Sequence, residues 1–172
     1  YYRELNFPTR KYQQDSGENL YRRGVYTHWQ RTFLHPSLLA FDAPTREECT
    51  AERPVSNSPQ QALTLLNDPV FVEAARVFAK RVIIEGGITK KSRIEFAFRE
   101  ALSRMPTKEE TDILIRLYNK HVAEFRLAPS AASDFLGVGA TTISDSIDPV
   151  ELAAWSSVCR TLFNLHETLY RY

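Results

Sequence analysis

Apolar residues recur at intervals of three and four through most of the chain, the period of a helix buried on one face. Phe71, Ala75, Phe78 and Val82 predict a helix over residues 69–85, opened by Asn67-Asp68-Pro69 and stopped by Gly86-Gly87. Ile94, Phe98, Ala101 and Met105 predict the next, from residue 89 to the stop at Pro106. Thr107 with Glu110 has the spacing of a capping box. It opens a long helix to residue 127 that turns Leu114, Leu117, His121, Val122 and Phe125 inward. Ser58-Pro59 with Gln61 begins a shorter helix to residue 66. Asp148-Pro149 begins the last one, to residue 165 or beyond, whose core face is Leu152, Trp155, Cys159, Leu162 and Phe163.

The remaining segments are less regular. Residues 1–14 show no period and read as an extended arm. Asp15 with Glu18 resembles another capping box, and Tyr21, Val25, Trp29 and Thr32 would line one stripe of a helix over residues 15–32. Pro36, Pro44 and Pro54 then predict an irregular loop near residues 34–57, with one helical turn at residues 46–49. Small residues after residue 129 suggest a short helix over residues 130–136 followed by a loop. No segment alternates with period two. The expected fold is therefore all-α, a bundle of five or six helices with that proline-rich loop, in one helical domain over residues 15–172.

Composition narrows the functions available. The chain has 172 residues, 43% hydrophobic and 25% charged, enough for a sizeable core. A net charge of +1 gives no global attraction to nucleic acid or to an anionic bilayer. No apolar run approaches the ~20 residues of a membrane span. Charge is uneven: residues 76–104 hold eight Lys/Arg against three Glu, and residues 105–151 hold four against eight acidic groups. Cys49 and Cys159 are either one disulfide or two separate buried thiols. Neither a Cys-x-x-Cys pair nor a His/Cys cluster is present, so no metal site and no cofactor are expected within this chain.

The chemistry-bearing residues gather between residues 20 and 57. His28 and His35 are seven apart, about 10 Å along a helix and too far for one metal, and Pro36 biases His35 away from helical geometry. Asp42, Glu47, Glu48 and Glu52 could supply an acid–base pair, although Thr45 with Glu48 also reads as a helix cap. Arg22, Arg23, Arg31, Arg46 and Arg53 are interleaved with Tyr21, Tyr26, Trp29 and Phe33. Guanidinium forks match carboxylate and sulfate, and aromatic rings stack on sugars. A helix with an aromatic core face and a solvated basic face accounts for the same residues. Ser37, Ser56 and Ser58 stand in no nucleophile elbow, and Gly137-Val138-Gly139 lacks the third glycine of a dinucleotide loop.

Several strings taken together resemble one family. They are the run from Tyr21 to Thr32, Phe41-Asp42-Ala43-Pro44 with Arg46-Glu47 and Cys49-Thr50, and Asn57-Ser58-Pro59-Gln60-Gln61-Ala62-Leu63 with Leu66-Asn67-Asp68-Pro69. Trp155 with Asn164-Leu165-His166-Glu167-Thr168 adds a fourth. Together they look like the planctomycete-specific C-terminal domain, a domain-of-unknown-function family numbered 1553, from residue 11 to the end. The family pattern begins upstream of Tyr1, so the resemblance implies that part of the domain precedes this chain. It also implies a large exported parent, in the periplasm or cell envelope, with a cytochrome-c-like domain upstream that carries the haem. The family has no established activity and supplies no catalytic residues.

The leading expectation is a non-catalytic interaction or scaffold module of an exported, redox-linked multidomain protein. Its candidate surface is Arg22, Arg23, Trp29, Arg31, His35, Asp42 and Arg46. Partners would be other domains of the parent or envelope proteins. The first alternative is a carbohydrate-binding or glycan-degradation accessory module meeting acidic glycans. The second is an enzyme with a loop-built site around His35, Asp42 and Glu47.

Overall fold

The computed structural model describes residues 15–27, 29, 34–45, 47–52, 54–142 and 146–170. The chain divides into two compact units, Tyr1–His35 and Pro36–Tyr172. That division falls well beyond residue 14, where the sequence places the end of an arm.

The first unit does not form the helix expected over residues 15–32. Its described part holds two short 3-10 turns, Gly17–Tyr21 and Gly24–Tyr26. Gly17 adopts φ +62, and Arg22 and Arg23 between the turns have ψ near 150. Glycine costs about 1 kcal/mol relative to alanine inside a helix, and two in eight residues are enough to break the periodic stripe. Ser16 stands before the first turn and makes no side-chain cap.

The second unit is a helical bundle. In chain order it contains α1 (Pro36–Ala40), α2 (Pro59–Asn67), α3 (Pro69–Glu85), α4 (Lys90–Leu102), α5 (Lys108–Leu127), α6 (Pro129–Leu136), α7 (Pro149–Phe163) and α8 (His166–Leu169). The six from α2 to α7 are the expected bundle. The single turns α1 and α8 were not foreseen, and the turn predicted at residues 46–49 is a bend among the described residues. No described residue is in a strand.

Helix starts follow the capping residues closely. Ser58 and Gln61 form a reciprocal capping box on α2, and Thr107 and Glu110 form one on α5. Asp68, Thr89 and Asp148 each accept from a backbone N–H in the first turn of α3, α4 and α7. One stop differs. Ser103 takes a left-handed φ of 58 and ends α4 before Met105, which is 55% exposed instead of joining the core.

At the centre lies α7. Leu152, Ala153, Ala154, Trp155, Ser156, Val158, Cys159 and Leu162 are all buried, so this helix is enclosed on nearly every side by α3, α5 and α6. Small residues, Ala75 and Ala79 on α3 and Ala153 on α7, let backbones approach. Large rings fill the rest: Tyr118 lies 4.8 Å from Trp155 and Phe78 stacks at 5.6 Å on Phe163. Ser156 buries its hydroxyl by donating to the Leu152 carbonyl at 2.7 Å.

Candidate functional site

Loss of the first helix changes what its side chains do. Tyr21, Val25 and Tyr26 are 51%, 68% and 70% exposed, where a core stripe would have hidden them. Arg22 and Arg23 are exposed beside them. The Arg22 guanidinium lies over the Tyr26 ring at 5.9 Å, while its Nε donates to Asn19 Oδ1 at 3.2 Å. The result is a surface cluster of two tyrosines, a valine and two arginines on a short, glycine-punctuated segment. Trp29 and His35 are half-buried. Arg31 and Arg46, together with His28 and Arg53, lie outside the described residues.

Asp42 has a different setting, within the second unit. It follows α1 in a left-handed conformation, φ 56, which aspartate tolerates better than most residues. Its carboxylate accepts from the Ser56 N–H at 2.9 Å and the Ser56 hydroxyl at 2.8 Å. It also accepts from Gln61 Nε2 at 3.2 Å and the Tyr170 hydroxyl at 3.0 Å. The Ser56 hydroxyl above all holds its pKa below the ordinary carboxylate value, with Tyr170 and Gln61 adding to the effect against the cost of burial. Gln61 is 1% exposed and also donates to the Tyr170 oxygen at 3.2 Å. Asp42 is thus a saturated, ionised acceptor that ties the proline-rich loop to α2 and to the residue after α8. Glu47, Glu48 and Glu52 are exposed, and the Glu47 N–H donates to Thr45 Oγ1 without starting a helix.

Two polar centres escaped sequence reasoning. Glu73, 3% exposed on α3, accepts from the N–H groups of Ala140 and Thr141 at 2.9 and 2.6 Å. Arg76, 5% exposed one turn later, donates to the Thr141 carbonyl at 2.7 Å. Gly139, at φ +105, lies so close that a Cβ there would meet Glu73 Oε2 at 2.5 Å. The pair therefore clamps the loop after α6. The second centre is Arg104, which pairs with Glu110 at 2.7 Å and with Glu167 on α8 at 2.7 Å. The Arg104 hydrogen bond, with support from the Thr107 backbone, pulls the Glu110 pKa down to about 2. The capping-box spacing from Thr107 announces Glu110. Nothing local announces Glu73, because its partners are 67 and 68 residues away.

Cys49 and Cys159 are both free thiols, so the bridge raised as one possibility is absent. Cys159 lies in the middle of α7, fully buried, where desolvation pushes its pKa well up, whereas Cys49 sits exposed in the loop. Among the described residues no group of His, Cys, Asp and Glu has the arrangement of a metal site. None of the helices there is long and apolar enough to cross a membrane.

No curated protein and no solved structure matches this chain. A family model does, the protein of unknown function DUF1553, over residues 2–118. That span includes the strings from residues 21 to 69 and stops at Tyr118, so the similarity around Trp155 lies beyond it. With more than half its length matched, and with the matching motifs placed on the first unit's turns, the proline-rich loop and α2 to α5, the chain belongs to the DUF1553 family.

Proposed function

We propose that this chain is a non-catalytic interaction module, and that the exposed Tyr21, Arg22, Arg23, Val25 and Tyr26 cluster is its contact surface. The observation that carries this reading is the exposure of apolar and aromatic side chains beside arginines that the fold leaves in solvent. Tyrosine and arginine are enriched among residues that dominate binding energy, because each combines a broad apolar face with a directed polar tip. Arg22 is already oriented by Asn19 and Tyr26, so less side-chain entropy is lost on contact. The partner is another domain of an exported multidomain parent, with redox chemistry supplied by a cytochrome-c-like neighbour and not by this chain. This places the module outside the cytoplasm, in the periplasm or envelope.

The test is capture of the parent's remaining domains by this chain. The double variant Arg22→Ala, Arg23→Ala should keep the wild-type melting temperature and lose at least about ten-fold in retained partner, the effect of truncating one or two interface anchors. Retention equal to wild type would remove the surface from consideration. Glycan binding is the second reading, favoured by the exposed Tyr21 and Tyr26 rings beside arginine. Retention on sulfated or uronic polymers, abolished by Tyr26→Ala, would replace a protein partner with an acidic glycan.

A further inference from the structure

The α8 segment is attached differently from α2 to α7, each of which buries two or more residues. None of its residues is buried. It is held by directed polar bonds at its two ends. Glu167 accepts from Arg104 Nε at 2.7 Å, anchoring α8 to the corner between α4 and α5. Tyr170 donates to Asp42 and accepts from Gln61, anchoring the following residue to the proline-rich loop and α2. Between them Thr168 Oγ1 donates to the Leu162 carbonyl at 2.7 Å. By contrast α7, directly before it, is anchored by eight buried residues.

We propose that residues 166–170 form a strap that detaches and recloses as a unit while α2 to α7 stay folded, and that Tyr170 on Asp42 is its latch. Segments with few buried apolar contacts open at far lower free energy than the core they lie on. Opening here breaks, among the described contacts, the Arg104–Glu167 pair and the hydrogen bonds of Thr168 and Tyr170, and leaves the enclosed α7 intact. It uncovers the Asp42 carboxylate and the Gln61 carboxamide, which the Tyr170 hydroxyl bridges when the strap is closed. Asp42 carries the strain of a left-handed backbone that its four donors hold in place, so latch and loop geometry are coupled.

Amide hydrogen exchange on the whole chain at neutral pH tests this. Residues 166–170 should exchange at least about a hundred-fold faster than residues 152–162. Tyr170→Phe keeps the ring and removes only the hydroxyl. It should speed exchange of residues 166–170 by about ten-fold or more, the loss of a hydrogen bond to a charged acceptor, and these residues should still exchange at least about a hundred-fold faster than residues 152–162. Glu167→Gln, which weakens the other anchor, should act on the same residues. Exchange of the strap in step with residues 152–162 overturns the proposal. So does a Tyr170→Phe variant whose strap exchanges as in wild type.

Discussion

Arginine–aromatic pairs occur in both units, in packed settings in one and exposed in the other. In the bundle, Arg93 lies over Trp155 at 5.8 Å, Arg104 over Phe98 at 5.1 Å and Arg160 over Phe135 at 5.2 Å. Trp155 and Phe98 are buried there, and the cations reach on to fixed acceptors: Glu151 for Arg93, Glu110 and Glu167 for Arg104, and the Leu66 carbonyl at the end of α2 for Arg160. In the first unit Arg22 covers Tyr26, but that ring is 70% exposed. The pairing is the same; the burial is not. Residue type alone therefore does not separate a packed pair from an exposed one. What separates them is whether the ring's other face meets a helix or water.

The sharpest way to break this contrast is to remove one ring from each side. Trp155→Ala opens a large cavity in the bundle and should cost at least about 3 kcal/mol, seen as a large fall in the denaturation midpoint. Tyr26→Ala should stay within about 0.5 kcal/mol of wild type in the same experiment. Equal losses would mean that Tyr26 is a core residue.

Polar anchors of the bundle should give intermediate effects. Gly139→Ala forces a Cβ into the Glu73 carboxylate at a left-handed backbone position, and about 1–3 kcal/mol of destabilisation in urea is expected. Asp42→Asn keeps a residue that accepts the left-handed backbone but sets an amide N–H₂ among donors. A loss of about 1–3 kcal/mol is expected by thermal denaturation, and none if the network is incidental.

Acid should act through the same anchors. The folded pKa of Glu110 is about 2 against an ordinary value of 4.5, and those of Asp42 and Glu167 are also lowered. Depressed carboxylate pKa values stabilise the fold above the unfolded value, and that contribution is lost as pH falls through the folded one. Stability should thus hold from pH 7 to about 4.5 and decline toward pH 2, a fall that Glu110→Gln makes shallower. The smallest effect belongs to the thiols. Cys49→Ser should leave stability unchanged within about 0.5 kcal/mol, while a thiol reagent labels Cys49 at once and Cys159 only on unfolding.

The bundle was legible because its signals are local. Proline after Ser58, Asp68 and Asp148 fixes three helix starts, and the apolar period fixes which faces turn inward, as Ile94, Leu114 and Trp155 bear out. The errors fall where a local rule met a competing one. Tyr21 and Val25 keep helical spacing, yet Gly17 and Gly24 break the helix that would have used it. Met105 keeps the spacing of α4, yet Ser103 ends that helix and Arg104 is drawn to Glu110 and Glu167. Asp42 stands out as a residue, yet its hydrogen-bond network does not. Its partner Tyr170 is 128 positions away, and no pattern along a chain announces such a pair.

That separation has a kinetic consequence. Contacts within and between neighbouring helices close short loops, whereas the Asp42–Tyr170 bond must wait for nearly the whole chain to be gathered. It is therefore expected to form after the folding barrier. A bond made that late leaves the folding rate almost untouched and slows escape from the native state, so Tyr170→Phe should shift the unfolding limb of a chevron plot and not the folding limb. The phenol on Asp42 then sets how long the molecule stays folded, not how fast it gets there.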